Sequence, residues 1–124
     1  MISFYFIIAV IVTHWIADFV FQTHWMAVNK SKNNIALSVH VFVYTIIIGL
    51  ILGTPLYVYG YMSYAILSSW IVINGILHFI TDYITSRITS KLWAKQDYHN
   101  FFVVVGFDQV IHYTCLFGTI MYFV

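Results

Sequence analysis

Seven side chains that can bind a metal ion fall within apolar stretches of this 124-residue sequence. They are three aspartates and four histidines: His14, Asp18, His40, His78, Asp82, Asp108 and His112. Six of them form pairs whose members are four residues apart: His14 and Asp18, His78 and Asp82, Asp108 and His112. That spacing places both side chains of a pair on one face of a helix. The pattern predicts helices that each present imidazole and carboxylate ligands to a common site.

The composition indicates a membrane protein. Hydrophobic residues make up 62% of the sequence and charged residues only 7%, whereas soluble proteins carry about 25% charged residues. A soluble domain of this length could not cover its surface with so few charges. The net charge of +1, without a basic run, argues against nucleic-acid binding. The length predicts a single domain over residues 1–124.

A spanning helix needs about 20 mostly apolar residues. Four stretches near this length predict an all-α, antiparallel bundle of four transmembrane helices, at residues 3–27, 35–53, 61–86 and 101–123. All five basic residues lie in the first and third connections. The positive-inside rule therefore places both connections in the cytoplasm and both termini on the opposite side. The third connection, residues 87–100, carries Ile88, Leu92 and Trp93 and is predicted to lie along the membrane surface.

These boundaries place the seven residues in one layer, roughly 6–18 Å below the cytoplasmic face at the helical rise per residue. A charge at the centre of a bilayer costs at least about 2.5 kcal/mol, so these side chains must face one another rather than lipid. The predicted spans contain no Lys or Arg that could neutralise the aspartates. Protonated aspartates, charged histidines or a bound cation could each provide the balance, and a divalent metal ion is the simplest of these.

We therefore predict that all seven residues bind metal, as one ion or two, with Asp18, Asp82 and Asp108 also available as catalytic bases. Zn²⁺ fits the mixed ligand set best, with Mn, Fe or Mg as alternatives. Gln22, Asn74 and Gln109 are predicted to hydrogen-bond to the ligands. A purely structural hydrogen-bond network between helices is the competing interpretation. The Gly49–Gly53 pair forms a GxxxG pattern, which could serve packing within the chain or a homo-oligomer.

The same residues resemble a family of small bacterial and phage membrane proteins known as domain of unknown function 3307. The similar features are the His14 to Gln22 motif followed by Trp25 and Lys30, the single His40, the His78–Asp82 pair, and the run from Asp108 through Gln109 to His112. The resemblance covers nearly the whole chain and implies a multi-pass protein of the bacterial inner membrane, or one encoded by a phage. A looser similarity is to membrane-bound metal-dependent hydrolases.

Three functions are compatible with these features. The first is a metal-dependent hydrolase that acts on a lipid or lipid-linked substrate from the cytoplasmic leaflet. The second is a transporter or channel for divalent cations or protons, because buried His and Asp residues mark such pathways. The third is a non-catalytic protein that a structural metal stabilises. The outer half of each predicted span is almost uniformly apolar, which argues against transport by a monomer.

Overall fold

The computed structural model describes residues 3–124, and the elements in this range are helices joined by short turns. In chain order they are α1 (Phe4–Val20), α2 (His24–Asn29), α3 (Asn34–Val58), α4 (Tyr64–Ala94) and α5 (Tyr98–Phe123). The all-helical prediction is confirmed. By length and composition α3, α4 and α5 could each cross a membrane, and α1 is a shorter apolar helix.

The helices begin where polar side chains can bind their free N–H groups. Side chains of five residues accept from the backbone N–H two or three positions further along: Ser3, Thr23, Asn33, Ser63 and Asp97. A cap of this kind stabilises a helix by about 1 kcal/mol. The short polar segments between apolar runs thus define where each helix starts.

The predicted first span, residues 3–27, is wrong as a single helix. Helix α1 ends in a π-helical turn, Ile16–Val20, in which the Phe21 N–H donates to the Ile16 carbonyl at 3.0 Å. The helix then ends, and Thr23 caps the separate helix α2 by accepting from the Met26 N–H. The helix ends here because the wide turn interrupts its regular hydrogen bonds and the Thr23 side chain then bonds to the backbone of a new helix.

Two of the other predicted spans end later in the structure than the sequence indicates. Helix α3 continues through Pro55 to Val58, beyond the predicted end at residue 53, because a π-helical turn at Gly49–Gly53 accommodates the proline. Helix α4 runs to Ala94, so most of the predicted surface segment at residues 87–100 is a continuation of that helix. The turn that follows is tight, and the Trp93 ring packs against Tyr98 and Phe101 at centroid distances of 5.0 and 5.1 Å.

Neighbouring helices pack antiparallel. Along α3 and α4, Asn34 pairs with Arg87 near one end and Gly53 lies against Leu67 near the other. On α4 and α5, Thr85 bonds to Asp108 while Asn74 bonds to Thr119. Apolar side chains fill one half of the bundle interior, among them Val10, Ile48, Trp70, Leu116 and Ile120. The exterior carries many exposed Ile, Val and Phe side chains, which is compatible with lipid contact.

Helices α3 and α4 approach each other closely at their glycines. A Cβ atom added at Gly75 would lie 2.9 Å from Thr45 Oγ1, and one added at Gly49 would lie 3.1 Å from Ile71 Cδ1. At Gly53 the nearest atom, Leu67 Cδ1, would be 2.7 Å away. The GxxxG pattern is therefore used for packing inside the monomer. A homo-oligomer through Gly49 and Gly53 stays a prediction.

We expect Gly75→Leu to lower the thermal stability of the detergent-purified protein, because the new side chain must displace Thr45 in a packed helix interface. Overpacking of this kind costs about 1–3 kcal/mol. Gly118→Leu is the matched control, since a Cβ there meets no described atom within 4 Å. Equal melting temperatures for the two variants would contradict the close approach of α3 and α4.

Candidate metal centre

The seven predicted ligands meet in the middle of the bundle. They come from α1, α3, α4 and α5, and six of them are buried, whereas the Asp108 side chain is 13% exposed. We call these seven residues the His/Asp cluster. The π-helical turn of α1 contains Asp18 itself, so the wide turn determines where this carboxylate enters the bundle. Such turns often occur at functional sites.

Four ligand atoms of the cluster lie at the spacing of a metal site: Asp18 Oδ1, His40 Nε2, His78 Nε2 and Asp82 Oδ2. We call their residues the four-ligand group. His40 Nε2 lies 3.0 Å from Asp18, 3.2 Å from His78 and 3.2 Å from Asp82. His78 Nε2 lies 3.5 Å from Asp18 and 3.7 Å from Asp82. Tetrahedral zinc with bonds of about 2.0–2.1 Å separates its ligand atoms by roughly 3.3–3.4 Å. These five separations thus bracket the value expected around one ion.

The remaining oxygens of the two carboxylates face the other members of the cluster. Asp82 Oδ1 lies 3.1 Å from His112 Nε2, and Asp18 Oδ2 lies 3.8 Å from His14 Nε2. His112 Nε2 is also 3.4 Å from Asp108 Oδ2. His14 is fully buried, and both of its ring nitrogens lack a hydrogen-bond partner among residues 3–124. Ligand atoms of Asp18, Asp108 and His112 lie within 4.8 Å of one another, which makes them a second candidate group for an ion.

Ring stacking orients the histidines. The Tyr44 ring stacks on His78 at a centroid distance of 3.7 Å, and His78 in turn stacks on His112 at 4.2 Å. The Nδ1 atoms of His40 and His78 are buried without a partner in the described part of the chain. In many metal sites, a hydrogen bond from Nδ1 fixes the orientation of the histidine ring. Aromatic contacts fix the orientation of the His78 ring instead. Sequence reasoning missed Tyr44, although its position four residues after His40 places both on one face of α3.

Lys30 corrects the expectation that no basic side chain reaches the aspartates. Its Nζ donates to Asp82 Oδ2 at 2.8 Å from the turn after α2, and its side chain is only 18% exposed. Burial acts to lower the pKa of the Lys30 ammonium, but the Asp82 and Asp18 carboxylates outweigh it and raise that pKa above its ordinary value. The prediction failed because it considered only residues inside the spans, whereas a long side chain reaches in from a connection.

The three residues predicted to hydrogen-bond to the ligands have different surroundings. Gln109 donates to Asp108 Oδ2 at 3.0 Å and to Asp18 Oδ2 at 3.4 Å. Asn74 bonds instead to Thr119 and to the Trp70 carbonyl, away from the His/Asp cluster. Gln22 lies beyond the end of α1, and its buried Oε1 has no partner among the described residues. An unpredicted residue, Thr85, donates to Asp108 Oδ1 at 2.6 Å.

A cavity of about 380 Å³ opens beside the cluster. Its lining includes the three acids of the cluster together with Gln22, Lys30 and Gln109. The rest of the wall combines hydroxyl groups and Lys32 with apolar side chains, as follows: Phe19, Ala27, Val28, Ser31, Thr85, Ser86, Thr89, Ser90, Trp93, Phe101 and Val105. These residues come from α1, α2, the turn after α2, α4 and α5. The extension of α4 beyond the predicted span therefore forms much of one wall.

The fold and the cluster together define an all-α protein with helices able to cross a membrane and a buried His/Asp group able to hold a metal ion. The chain belongs to the family described as protein of unknown function DUF3307, whose sequence model matches residues 6–124. No curated protein and no solved structure matches the chain. The family resemblance predicted from the motifs is confirmed, and the looser similarity to membrane-bound hydrolases is not shown.

We expect Lys30→Met to destabilise the metal-free protein, because it leaves the Asp82 carboxylate buried without its ammonium partner. Removing one member of a buried ion pair typically costs about 3–5 kcal/mol. Lys32→Met is the control, since Lys32 is exposed and has no acidic partner within salt-bridge distance in residues 3–124. Thermal unfolding after chelation measures the difference, and equal melting temperatures would show that the Lys30–Asp82 contact contributes nothing.

Proposed function

We propose that this chain is an integral membrane protein that binds a divalent metal ion and uses it to hydrolyse a lipid or lipid-linked substrate. The observation that carries the proposal is the position of the four-ligand group. It combines two carboxylates and two imidazoles at metal-binding separations, and its two acids also line a cavity large enough for a headgroup. Such a site can both hold an ion and admit a substrate.

The proposed ion is Zn²⁺, because two imidazoles and two carboxylates form a borderline ligand set at tetrahedral separations. Mn, Fe or Mg are the alternatives that the same ligands allow. A second ion has a candidate position beside the first, between Asp18, Asp108 and His112.

The proposed membrane arrangement keeps four crossings, with α1 as the shortest. At the helical rise, α1 is about 26 Å long, somewhat less than the hydrocarbon core of about 30 Å. The basic residues cluster at the end of the bundle where the cavity opens, including Lys30, Lys32, Arg87 and Lys91. The positive-inside rule supports placing this end in the cytoplasm of a bacterial cell, or of one infected by a phage that encodes the protein.

Residues around the cavity suit hydrolysis. A bound divalent ion would lower the pKa of water and polarise a phosphoryl or acyl oxygen. Asp108 is the best-placed general base, because it is the least buried acid of the cluster and lines the cavity. Thr85 and Gln109 each donate to one of its oxygens and so fix the plane of the carboxylate. Lys30 provides positive charge at the boundary between the cluster and the cavity.

The packing beyond the cluster argues against transport by a single copy. Opposite the cavity, the interior is filled by buried apolar side chains, including Ile48, Trp70, Leu116 and Ile120. The polar contacts in that half join Asn74, Thr119 and Trp70 to one another. An ion leaving the His/Asp cluster in that direction would have to cross this apolar layer without ligands, which is costly.

We expect the purified protein to contain Zn²⁺ and His78→Ala to lose the ion of the four-ligand group, because this change removes one of four ligands from a buried site. His24→Ala is the matched control, since His24 is exposed on α2. Elemental analysis of detergent-purified samples measures both. Wild-type protein without any bound metal after reconstitution with Zn²⁺, Mn²⁺ or Fe²⁺ would contradict the proposal.

Asp108→Asn is expected to lower the hydrolysis rate by about 10²–10⁴-fold, the usual contribution of a general base, while the four-ligand group keeps its ion. The assay follows product release from a panel of short-chain glycerophospholipids and prenyl diphosphates in detergent. Asp97→Asn is the control, because Asn caps α5 about as well as Asp does. Zinc flux into liposomes that requires Asp108, without hydrolysis, would favour transport instead. Metal that raises the melting temperature without any activity would favour a structural role.

A further inference from the structure

The cavity combines acidic and basic groups in a way that makes its charge depend on the metal. Three carboxylates and two ammonium groups line the cavity, and one bound divalent ion would make it two charge units more positive. The metal-loaded cavity therefore attracts anions more strongly than the metal-free cavity does. The carboxylates of the site can hold the metal ion, and the lysines beside them can contact an anion. The site is therefore suited to an anionic ligand that binds together with the metal.

Hydrogen-bond donors remain free around the cavity. The ammonium group of Lys30 has three donors, and its one hydrogen bond within residues 3–124 goes to Asp82 Oδ2. The Ser86 hydroxyl is buried, lines the cavity and has no partner in the described part of the chain. Lys32 lies at the same wall and is exposed. These donors exceed what one ester carbonyl can accept, and they suit the several oxygens of a phosphate group.

Apolar side chains complete the wall on the side of α4 and α5. Trp93, Phe101 and Val105 line the cavity together with Phe19 of α1. They offer contact to the hydrocarbon part of a lipid whose headgroup lies among the lysines. The polar and apolar parts of the lining are thus arranged as an amphipathic ligand requires.

We infer that the cavity binds the phosphate group of the substrate between the metal-bearing acids and the donors Lys30, Lys32 and Ser86. The inference rests on the proposed function and narrows its substrate to phosphate-bearing molecules. A lipid phosphate and free inorganic phosphate share this chemistry. The apolar wall gives the lipid an additional contact that free phosphate cannot use.

The test uses the full-length protein in detergent, stripped with EDTA and reloaded with Zn²⁺ alone. Isothermal titration calorimetry with inorganic phosphate, dihexanoyl phosphatidic acid and hexanoate measures binding. We expect both phosphate probes to bind, the lipid more tightly, and hexanoate to bind weakly.

Lys32→Glu should weaken phosphate binding by about tenfold through loss of a charge-assisted contact. Lys91→Glu makes the same charge change at an exposed residue outside the cavity lining and should have less than about a twofold effect.

A second pair of variants removes a hydroxyl without changing charge. Ser86→Ala should weaken phosphate binding by about threefold to tenfold, the usual effect of one hydrogen bond. Ser69→Ala is its control, because the Ser69 hydroxyl bonds to the Ala65 carbonyl of its own helix and lies outside the cavity lining. Lack of effect for Ser86→Ala would remove that residue from the binding site and overturn the assignment.

Three further results would overturn the inference. They are phosphate affinities that are equal with and without zinc, equal effects of Lys32→Glu and Lys91→Glu, and hexanoate binding as tight as that of either phosphate probe. Zinc content and hydrolysis are measured on the same samples, which separates the two proposals. Protein that holds zinc and hydrolyses a lipid without binding phosphate overturns the inference alone, whereas protein that binds none of Zn²⁺, Mn²⁺ or Fe²⁺ overturns the proposed function as well.

Discussion

Buried carboxylates in an apolar bundle must be neutralised, and the structure around Asp18 and Asp82 follows from this constraint. Each acid is within 4 Å of several imidazoles, and Asp82 also accepts from Lys30. Because both side chains are almost fully buried, leaving either carboxylate without a partner would cost more than any one packing contact provides. The helices therefore have to place histidines at one level, and the turn after α2 has to bring a lysine down to it.

The backbone departs from regular helix where this convergence demands it. The wide turn at Ile16–Val20 contains Asp18, and the close approach of α3 and α4 at Gly75 brings the helix of His40 near that of His78. Tyr44 then stacks on His78 and limits its rotation. Small residues, one irregular turn and one aromatic ring thus position the carboxylates and imidazoles of the cluster. The neighbouring apolar side chains cannot do so, because they make no directional contact with a ring nitrogen.

The sequence predicted the helical class and the convergence of seven residues because both follow from periodicity and from the cost of charge in lipid. The residues that it missed act through three-dimensional contacts. Lys30 enters from a connection, Thr85 bonds across to α5, and Tyr44 acts through its ring plane. Helix ends were also missed, because the π-helical turns that end α1 early and carry α3 past Pro55 depend on local backbone hydrogen bonds that hydropathy does not record.

In the proposed membrane arrangement, the short length of α1 would affect the surrounding bilayer. A helix of about 26 Å that crossed a hydrocarbon layer of about 30 Å would create a mismatch, which lipids would relieve by thinning next to the protein. The cavity wall includes Phe19 at the end of this helix, so the thinned region would adjoin the cavity. Headgroups there would sink toward Asp108 and Lys30, and the elastic deformation of the membrane would favour the entry of the proposed substrate.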